Sequence, residues 1–172
     1  ICASAICMSD GGEYWLENHE GHHAPMKMDL MLGIAGLGTY FAAHHAVVQD
    51  ERSARYAEVC IENIHMYIQN LEKAKSAHLK LIMPGLDGAA GILRALGIME
   101  KHIGGCQDLI AHMISLLPKL DIENARTDVF SGVSGLILEL CANGKCRDLQ
   151  LLRRCANRLL AARTLKTADG KL

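Results

Sequence analysis

Cysteine and histidine are the residues of this chain whose side chains could hold a metal ion. The sequence has 7 cysteines and 9 histidines among 172 residues. Cys141 and Cys146 are separated by four residues, a spacing that two ligands at a helix end and its following turn can span. His19, His22 and His23 form a second candidate cluster of ligands. The simpler interpretations are ordinary free thiols and a solvated loop, because the odd cysteine count follows no secreted-scaffold spacing.

Charge patterning suggests few partners. Arg153, Arg154 and Arg158 cluster on one face of a predicted helix, which is typical of a solvated face, with docking of an acidic peptide as the alternative. The formal net charge of −1 gives no reason to expect nucleic acid or an anionic membrane as a partner. No apolar run approaches the roughly 20 residues of a membrane span. Free thiols predict a cytoplasmic location.

A Gly-x-x-Gly motif that occurs three times organises the chain. The glycine pairs are Gly33 and Gly36, Gly88 and Gly91, and Gly132 and Gly135. Asp29 and Asp128 precede the first and third pairs by four residues, and Asp87 directly precedes the second. Because a helical glycine costs roughly 1 kcal/mol relative to alanine, we expect these glycines to permit close packing of helix backbones. The apolar runs that follow are typical of buried helices.

Helical periodicity predicts six helices, alternately buried and amphipathic. Their predicted bounds are about 29–48, 51–73, 88–101, 106–117, 130–142 and 147–163. Each pair forms a hairpin with an inner and an outer helix, so the predicted fold class is all-α, a two-layer helical repeat. Residues 9–27 are predicted to be a polar loop. Residues 1–8 are predicted to be the last turns of a helix whose beginning is missing.

These elements predict a single domain built from three repeats. A lead-in over residues 1–28 precedes repeats at 29–73, 84–118 and 127–163. A polar tail, residues 164–172, is expected to fray.

The three motif-bearing segments resemble the lanthionine synthetase C-like family, in particular the C-terminal cyclase domain of class II, LanM-type lanthipeptide synthetases. The segments are residues 28–38, 86–96 and 127–135, the first of them after Tyr14-Trp15-Leu16. The resemblance implies an α/α toroid of seven inner and seven outer helices. It also implies lantibiotic biosynthesis, in which a peptide cysteine adds to dehydroalanine or dehydrobutyrine and closes a lanthionine or methyllanthionine thioether ring.

The same resemblance implies zinc in the parent family, held by two cysteines and a histidine, which lowers the pKa of the substrate thiol. The family's ligands lie in Trp-Cys-x-Gly and Cys-His-Gly segments, but Trp15 is not followed by cysteine and no cysteine is followed by histidine. We therefore expect no metal ligand here, a partial toroid with about three of the seven repeats, and no activity without the zinc-binding half. The full enzyme would bind a precursor peptide with leader and core. The exposed toroid edge is expected to self-associate.

One active-site position is implied by the resemblance. Asp128 matches the family's third-motif aspartate, which faces the zinc chamber and is implicated in acid/base work. Alternatively, Asp128 caps or orients the fifth helix, and Asp29, at the same place in the first copy, supports that interpretation. The six motif glycines are expected to be structural.

Whether the chain is an enzyme stays open at this point. A second hypothesis is a non-catalytic helical-repeat scaffold that binds a peptide or protein partner on its concave face. A third is another α/α toroid enzyme, of the glycosidase or prenyltransferase type, against which the aromatic content of 4% speaks. Met26, Met28 and Met31 are predicted to fill the core rather than line a peptide groove.

Overall fold

The computed structural model describes residues 5–7, 13–19, 22–73, 79–143 and 148–163. Within these ranges a small antiparallel sheet precedes six α-helices, which confirms the predicted all-α class for the body of the chain. The helices are α1 (Ile34–Val48), α2 (Glu51–Lys73), α3 (Ala89–His102), α4 (Gln107–Leu116), α5 (Val133–Asn143) and α6 (Leu149–Ala161). A 3-10 turn, Leu117–Lys119, continues α4.

The helices pack in an inner and an outer layer. In the inner layer α1 packs against α3, and α3 packs against α5. Each inner helix also packs against the helix that follows it in sequence, and α2 packs against α4. One core lies between the layers and includes Phe41, Ile64, Leu96, Met113 and Leu136. Closure of this arrangement into a toroid stays a prediction.

Two inner helices begin later than predicted. Residues 29–33 form turns and α1 begins at Ile34, while α5 begins at Val133 instead of residue 130. The aspartates of both loops accept hydrogen bonds from backbone N–H groups two or three residues ahead. Such local bonds compete with helix formation. Each helix therefore begins later than the sequence pattern from which its start was predicted.

The lead-in forms a sheet, so the predictions of a helix over residues 1–8 and a loop over residues 9–27 were wrong for the described part. The strands, paired in the order β1-β2-β3, are β1 (Ala5–Cys7), β2 (Glu13–His19) and β3 (His22–Pro25). Trp15 of β2 is 2% exposed. Its ring centroid lies 6.1 Å from that of Phe41 and 6.0 Å from that of Tyr56. This contact joins residues distant in sequence, which local periodicity does not reveal.

Candidate functional site at the loop end of the inner helices

Each inner helix begins beneath a loop that folds back over its first turn. The first N–H groups of a helix have no partner within the helix, and no side chain caps α1 or α3. A loop carbonyl takes that role in all three repeats. The N–H groups of Ile34, Ala89 and Val133 donate to the carbonyl oxygens of Lys27, Met83 and Arg126, at 2.7, 2.9 and 2.9 Å.

The first glycine of each motif leaves room for that carbonyl. A Cβ at Gly33 would overlap the carbonyl oxygen of Lys27, and one at Gly132 would overlap that of Arg126. Gly88 stands in the same relation to Met83. The close approach is therefore between each helix and its own loop, not between two helices as we expected.

The second glycines of the later repeats also face the preceding repeat. A Cβ at Gly91 would lie 2.9 Å from Cβ of Leu30, in the first loop. One at Gly135 would lie 3.0 Å from Cα of Gly85, in the second loop. The first two loops thus each touch the first turn of the next inner helix. We call the surface that the three loops form the loop end, made of residues 26–33, 81–88 and 126–132.

Backbone hydrogen bonds tie the second loop to the third. The N–H of Leu86 donates to the carbonyl of Val129 at 3.3 Å, and the N–H of Asp87 donates to that of Phe130 at 2.8 Å. A Cβ at Gly85 would overlap the Phe130 carbonyl. Because the loops bond through backbone groups, their relative position depends little on side-chain identity.

Asp29 and Asp128 brace the first and third loops in similar ways. Oδ1 of Asp29 accepts hydrogen bonds from the N–H groups of Met31 at 2.9 Å and Leu32 at 2.7 Å. Oδ1 of Asp128 accepts one from the N–H of Ser131 at 2.7 Å. Both carboxylates therefore orient the loop ahead of a helix. An additional catalytic role for Asp128 stays a prediction.

The environment of Asp128 favours its ionised form. The side chain is 44% exposed, and Nε of Arg126 lies 3.5 Å from Oδ2. The hydrogen bond from the Ser131 N–H, followed by other backbone bonds and the charge of Arg126, holds the pKa of Asp128 below its usual range. At neutral pH the group is a carboxylate that can accept a proton or stabilise a positive charge.

An apolar groove of about 720 Å³ lies beside the first two loops. Its lining includes Met26, Met28, Met31 and Met83 from the loops and Tyr67 and Leu71 from the end of α2. Asp29 and Asp87 line it as well. Met26 and Met28 also pack on the core, as predicted, whereas Met31 is 55% exposed. Flexible methionine side chains adapt to varied apolar partners, so this groove suits an apolar peptide segment.

A smaller cavity of about 170 Å³ lies between the second and third loops. It shares Leu81 and Met83 with the groove, and it is also lined by Lys80, Arg126 and Ser131. Arg126 and Ser131 both contact the Asp128 carboxylate. The loop end is therefore mainly apolar beside the first two loops and more polar near Asp128.

The candidate metal ligands do not assemble into a site within the described ranges. There, no group of three or more His, Cys, Asp or Glu side chains is placed to hold a metal ion. His19 pairs with His22 across β2 and β3, and His23 pairs with Asn18. Cys141 is exposed, and Cys146 lies outside the described residues. These residues do not fit the three-ligand zinc site that the resemblance implies.

The arginine cluster braces a loop, so a merely solvated face was the wrong interpretation for two of its members. Arg154 donates to both carboxylate oxygens of Glu123, at 2.7 and 2.8 Å, and to the carbonyl oxygen of Pro118 at 2.7 Å. Arg158 donates to the carbonyl oxygen of Ala125 at 2.7 Å. Arg153 is exposed.

A histidine, a serine and an aspartate meet at the turn between α1 and α2, which the sequence analysis missed. Nδ1 of His44 lies 2.9 Å from Oγ of Ser53, and that hydroxyl donates to Oδ2 of Asp50 at 2.7 Å. Ser53 is only 4% exposed, and Asp50 also accepts the Ser53 N–H. The buried hydroxyl cannot reach a substrate, so the cluster caps α2. An Asp-x-x-Ser sequence at a helix start was the available signal.

The three loops of the loop end lie within a sequence match to a known protein family. The family model described as lanthionine synthetase C-like protein matches residues 24–170. This chain belongs to the lanthionine synthetase C-like family. The match includes all three motif loops and all six described helices, and it leaves β1 and β2 outside. The family predicted from the glycine motifs is thereby confirmed.

Two other comparisons found no relative of this lanthionine synthetase C-like chain. Neither the curated proteins nor the solved structures gave a match. Of the helices that the structure describes, none has the length and apolar character needed to cross a membrane.

Proposed function

We propose that this lanthionine synthetase C-like chain is part of the cyclase domain of a class II, LanM-type lanthipeptide synthetase. Its partner is then a precursor peptide in the cytoplasm. The observation that carries the proposal is the recurrence, in order, of three glycine-motif loops over buried helices inside the family match at residues 24–170. Zinc, which activates the thiol when bound, is held in this proposal by residues other than those described.

The proposed reaction is the addition of a peptide thiol to a dehydroamino acid, and its atoms balance without an oxidant or reductant. The cysteine sulfur loses its proton and bonds to the β-carbon, and the α-carbon then gains a proton. Asp128, kept ionised by the Ser131 N–H and Arg126, is suited to hold and return a proton or to orient a protonated group. Its low proton affinity makes it a weak base in water, and burial beneath a bound peptide would raise its pKa.

The groove at the loop end is the proposed seat for apolar residues of the precursor peptide. Met31 and Met83 are 55% and 46% exposed and line the groove. A peptide there would reach toward the charged cavity that contains Arg126 and Ser131.

Counting free thiols in a dehydrated precursor peptide tests the cyclase assignment. Ring closure leaves the peptide mass unchanged but removes one thiol per ring, so alkylation followed by mass spectrometry reports it directly. The complete enzyme that contains this chain is expected to protect the peptide from alkylation. If every thiol still reacts after incubation, the cyclase assignment is wrong.

Matched substitutions test the role of Asp128. Asp128→Asn keeps an oxygen that can accept the Ser131 N–H and removes only the charge, and we expect ring closure to slow by about 10²-fold. Asp29→Asn makes the same change in the equivalent turn of the first repeat. Because Asp29 lines the groove but not the cavity beside Asp128, this variant should leave the rate at saturating peptide within about twofold. Equal rates for the two variants would assign Asp128 a structural role only.

The location of the metal has a separate test on the chain alone. Elemental analysis of the purified chain is expected to find zinc well below one equivalent, and the chain alone is expected to leave peptide thiols free. One zinc per chain, released when its cysteines are alkylated, would overturn the assignment of the metal to other residues. The cyclase assignment would survive that result.

The apolar groove favours a second candidate function, a non-catalytic scaffold that binds a peptide. This candidate predicts that a peptide without cysteine and without dehydrated residues binds as tightly as a precursor peptide. Fluorescence anisotropy with both labelled peptides separates the two candidates, because a cyclase is expected to prefer the precursor.

A further inference from the structure

The cavity between the second and third loops adjoins the apolar groove but differs from it in chemistry. Its lining residues belong to the segments that precede α3 and α5, at positions 80–84 and 121–131. The cavity therefore lies between two neighbouring repeats, and not on the outer flank of either end helix. Leu81, Ile82 and Met83 line the groove as well, so a peptide that fills the groove can extend past these side chains into the cavity.

Three side chains supply hydrogen-bond donors to this cavity, namely Lys80, Arg126 and Ser131. Among the described residues, neither the Lys80 ammonium nor the Ser131 hydroxyl has a hydrogen-bond or ion-pair partner. Nε of Arg126 lies 3.5 Å from Oδ2 of Asp128, a longer separation than the roughly 2.8 Å of a charge-assisted hydrogen bond. The guanidinium therefore keeps N–H groups that can donate to another acceptor.

The carboxylate in the cavity lining, Asp121, is already hydrogen-bonded. The side-chain amide of Asn124 donates to both of its oxygens at 3.0 Å, and the Asn124 N–H donates to Oδ1 at 3.3 Å. Asp128 contacts Arg126 but is not among the lining residues. The lining thus combines two exposed cations with one hydrogen-bonded carboxylate, so an entering anion gains donors that now face solvent.

The adjoining groove has the opposite balance of charge. Asp29 and Asp87 line it together with a single cation, Lys27. A carboxylate is therefore repelled by the groove and attracted by the cavity, whereas apolar side chains gain contacts in the groove. An apolar segment and an acidic residue of one peptide are thereby directed to adjacent places.

We propose that this cavity is a carboxylate subsite, in which Lys80, Arg126 and Ser131 bind an acidic side chain of the peptide whose apolar segment occupies the groove. Arginine can donate two parallel hydrogen bonds to a carboxylate, and lysine adds a compact positive charge. The subsite rests on the proposed function, in which the groove holds the precursor peptide. That peptide then carries Asp or Glu beside an apolar stretch. Because Arg126 contacts Asp128, the bound acidic residue brings its neighbours close to the Asp128 carboxylate.

Fluorescence anisotropy with matched peptides tests the subsite in the complete enzyme that contains this chain. Both probes are synthetic peptides of leucine and alanine, labelled at one end and amidated at the other, and one carries a glutamate where the other carries a glutamine. We expect the glutamate peptide to bind about fivefold more tightly at low salt, with a preference that shrinks as salt rises. Because groove and cavity are fixed relative to each other, moving the glutamate away from the leucines should remove the preference.

Two charge reversals distinguish the subsite from long-range attraction. Lys80→Glu and Lys101→Glu change the net charge equally, but Lys101 is exposed in the last turn of α3, at the end remote from the loop end. Lys80→Glu should abolish the preference for glutamate and favour a peptide with lysine in its place, whereas Lys101→Glu should keep it. Equal losses would mean that net charge alone attracts the peptide, and the subsite would be wrong. Circular dichroism verifies folding, and Lys80→Gln, expected to reduce the preference to about twofold, replaces a Lys80→Glu variant that does not fold.

The glutamine peptide separates failure of the subsite from failure of the groove. If this peptide binds and glutamate adds no affinity, the subsite is wrong and the groove remains a peptide site. If neither peptide binds, the groove does not hold an apolar peptide, and the subsite is wrong as well. The cyclase assignment is tested by counting thiols and depends on neither result.

Discussion

Arg94 of α3 and Glu139 of α5 join two neighbouring inner helices through an ion pair, with Nε and Oε2 2.8 Å apart. The Glu139 side chain is 3% exposed and the Arg94 side chain is 42% exposed. A buried carboxylate without a countercharge is strongly unfavourable, so this pair constrains how the second and third repeats meet.

Replacing Arg94 should destabilise the fold more than replacing Arg55, the exposed arginine of another ion pair. Arg94→Met leaves the Glu139 carboxylate buried without the guanidinium, and we expect the free energy of unfolding to fall by about 1–3 kcal/mol in urea denaturation. Combining it with Glu139→Leu should restore part of that loss, because no buried charge remains. Arg55→Met removes a pair whose arginine is 70% exposed and whose Glu13 side chain is 16% exposed. Because solvent screens this arginine more than Arg94, we expect a smaller loss than for Arg94→Met. Equal losses for both arginines would contradict this account.

Glycine substitutions should separate steric necessity from helix propensity. A Cβ at Gly132 meets the Arg126 carbonyl, whereas a Cβ at Gly97 in the middle of α3 meets nothing within 4 Å. Gly132→Ala should therefore lower the unfolding free energy by about 1–3 kcal/mol. Gly97→Ala should raise it by about 0.5–1 kcal/mol, because alanine favours helix. A stabilised Gly132→Ala variant would show that the loop moves aside.

Acid should weaken the brace between α6 and the loop before the third repeat. The hydrogen bond from Arg154 lowers the pKa of Glu123 from 4.5 to about 2. A carboxyl whose pKa is lower in the folded state than in the unfolded state stabilises the folded protein at pH values above the unfolded-state pKa. This stabilisation is lost as the pH falls from about 4.5 to about 2. Glu123 is 61% exposed, so solvent screening keeps the effect small.

Thermal unfolding of Glu123→Gln checks that prediction. The variant should melt below wild type at neutral pH, and the difference in Tm should shrink as pH approaches about 2. A difference that is independent of pH would mean that the charge of Glu123 contributes nothing.

Alkylation should distinguish the thiols of the described residues. Burial raises the pKa of Cys60 to about 12 and is the main cause that raises those of Cys106 and Cys155 to about 11. Because the thiolate is the reactive form, these thiols should react only after unfolding, whereas the exposed Cys141 should react at once near pH 8. Peptide mapping after a timed iodoacetamide pulse measures each rate. Fast labelling of Cys60 in the folded chain would contradict the buried placement.

Local patterns in the sequence determined the number and order of the helices and the family. The predicted bounds of α2, 51–73, agree with the structure, because apolar spacing of three and four residues reports a half-buried helix directly. The paired glycines identified the family, since glycine is accepted at such a cost only where space is required.

Only the tertiary structure decided what occupies that space. The carbonyl of Arg126 above Gly132, the seat of Trp15 between Phe41 and Tyr56, and the pairing of Arg94 with Glu139 all involve groups that a local pattern does not place together. Helix periodicity is a property of neighbouring residues, whereas these contacts depend on how the chain returns to itself. The sheet was missed for the same reason. Trp15 of its central strand packs on α1 and α2, and the strands lack the sustained alternation of apolar and polar residues that would have predicted them.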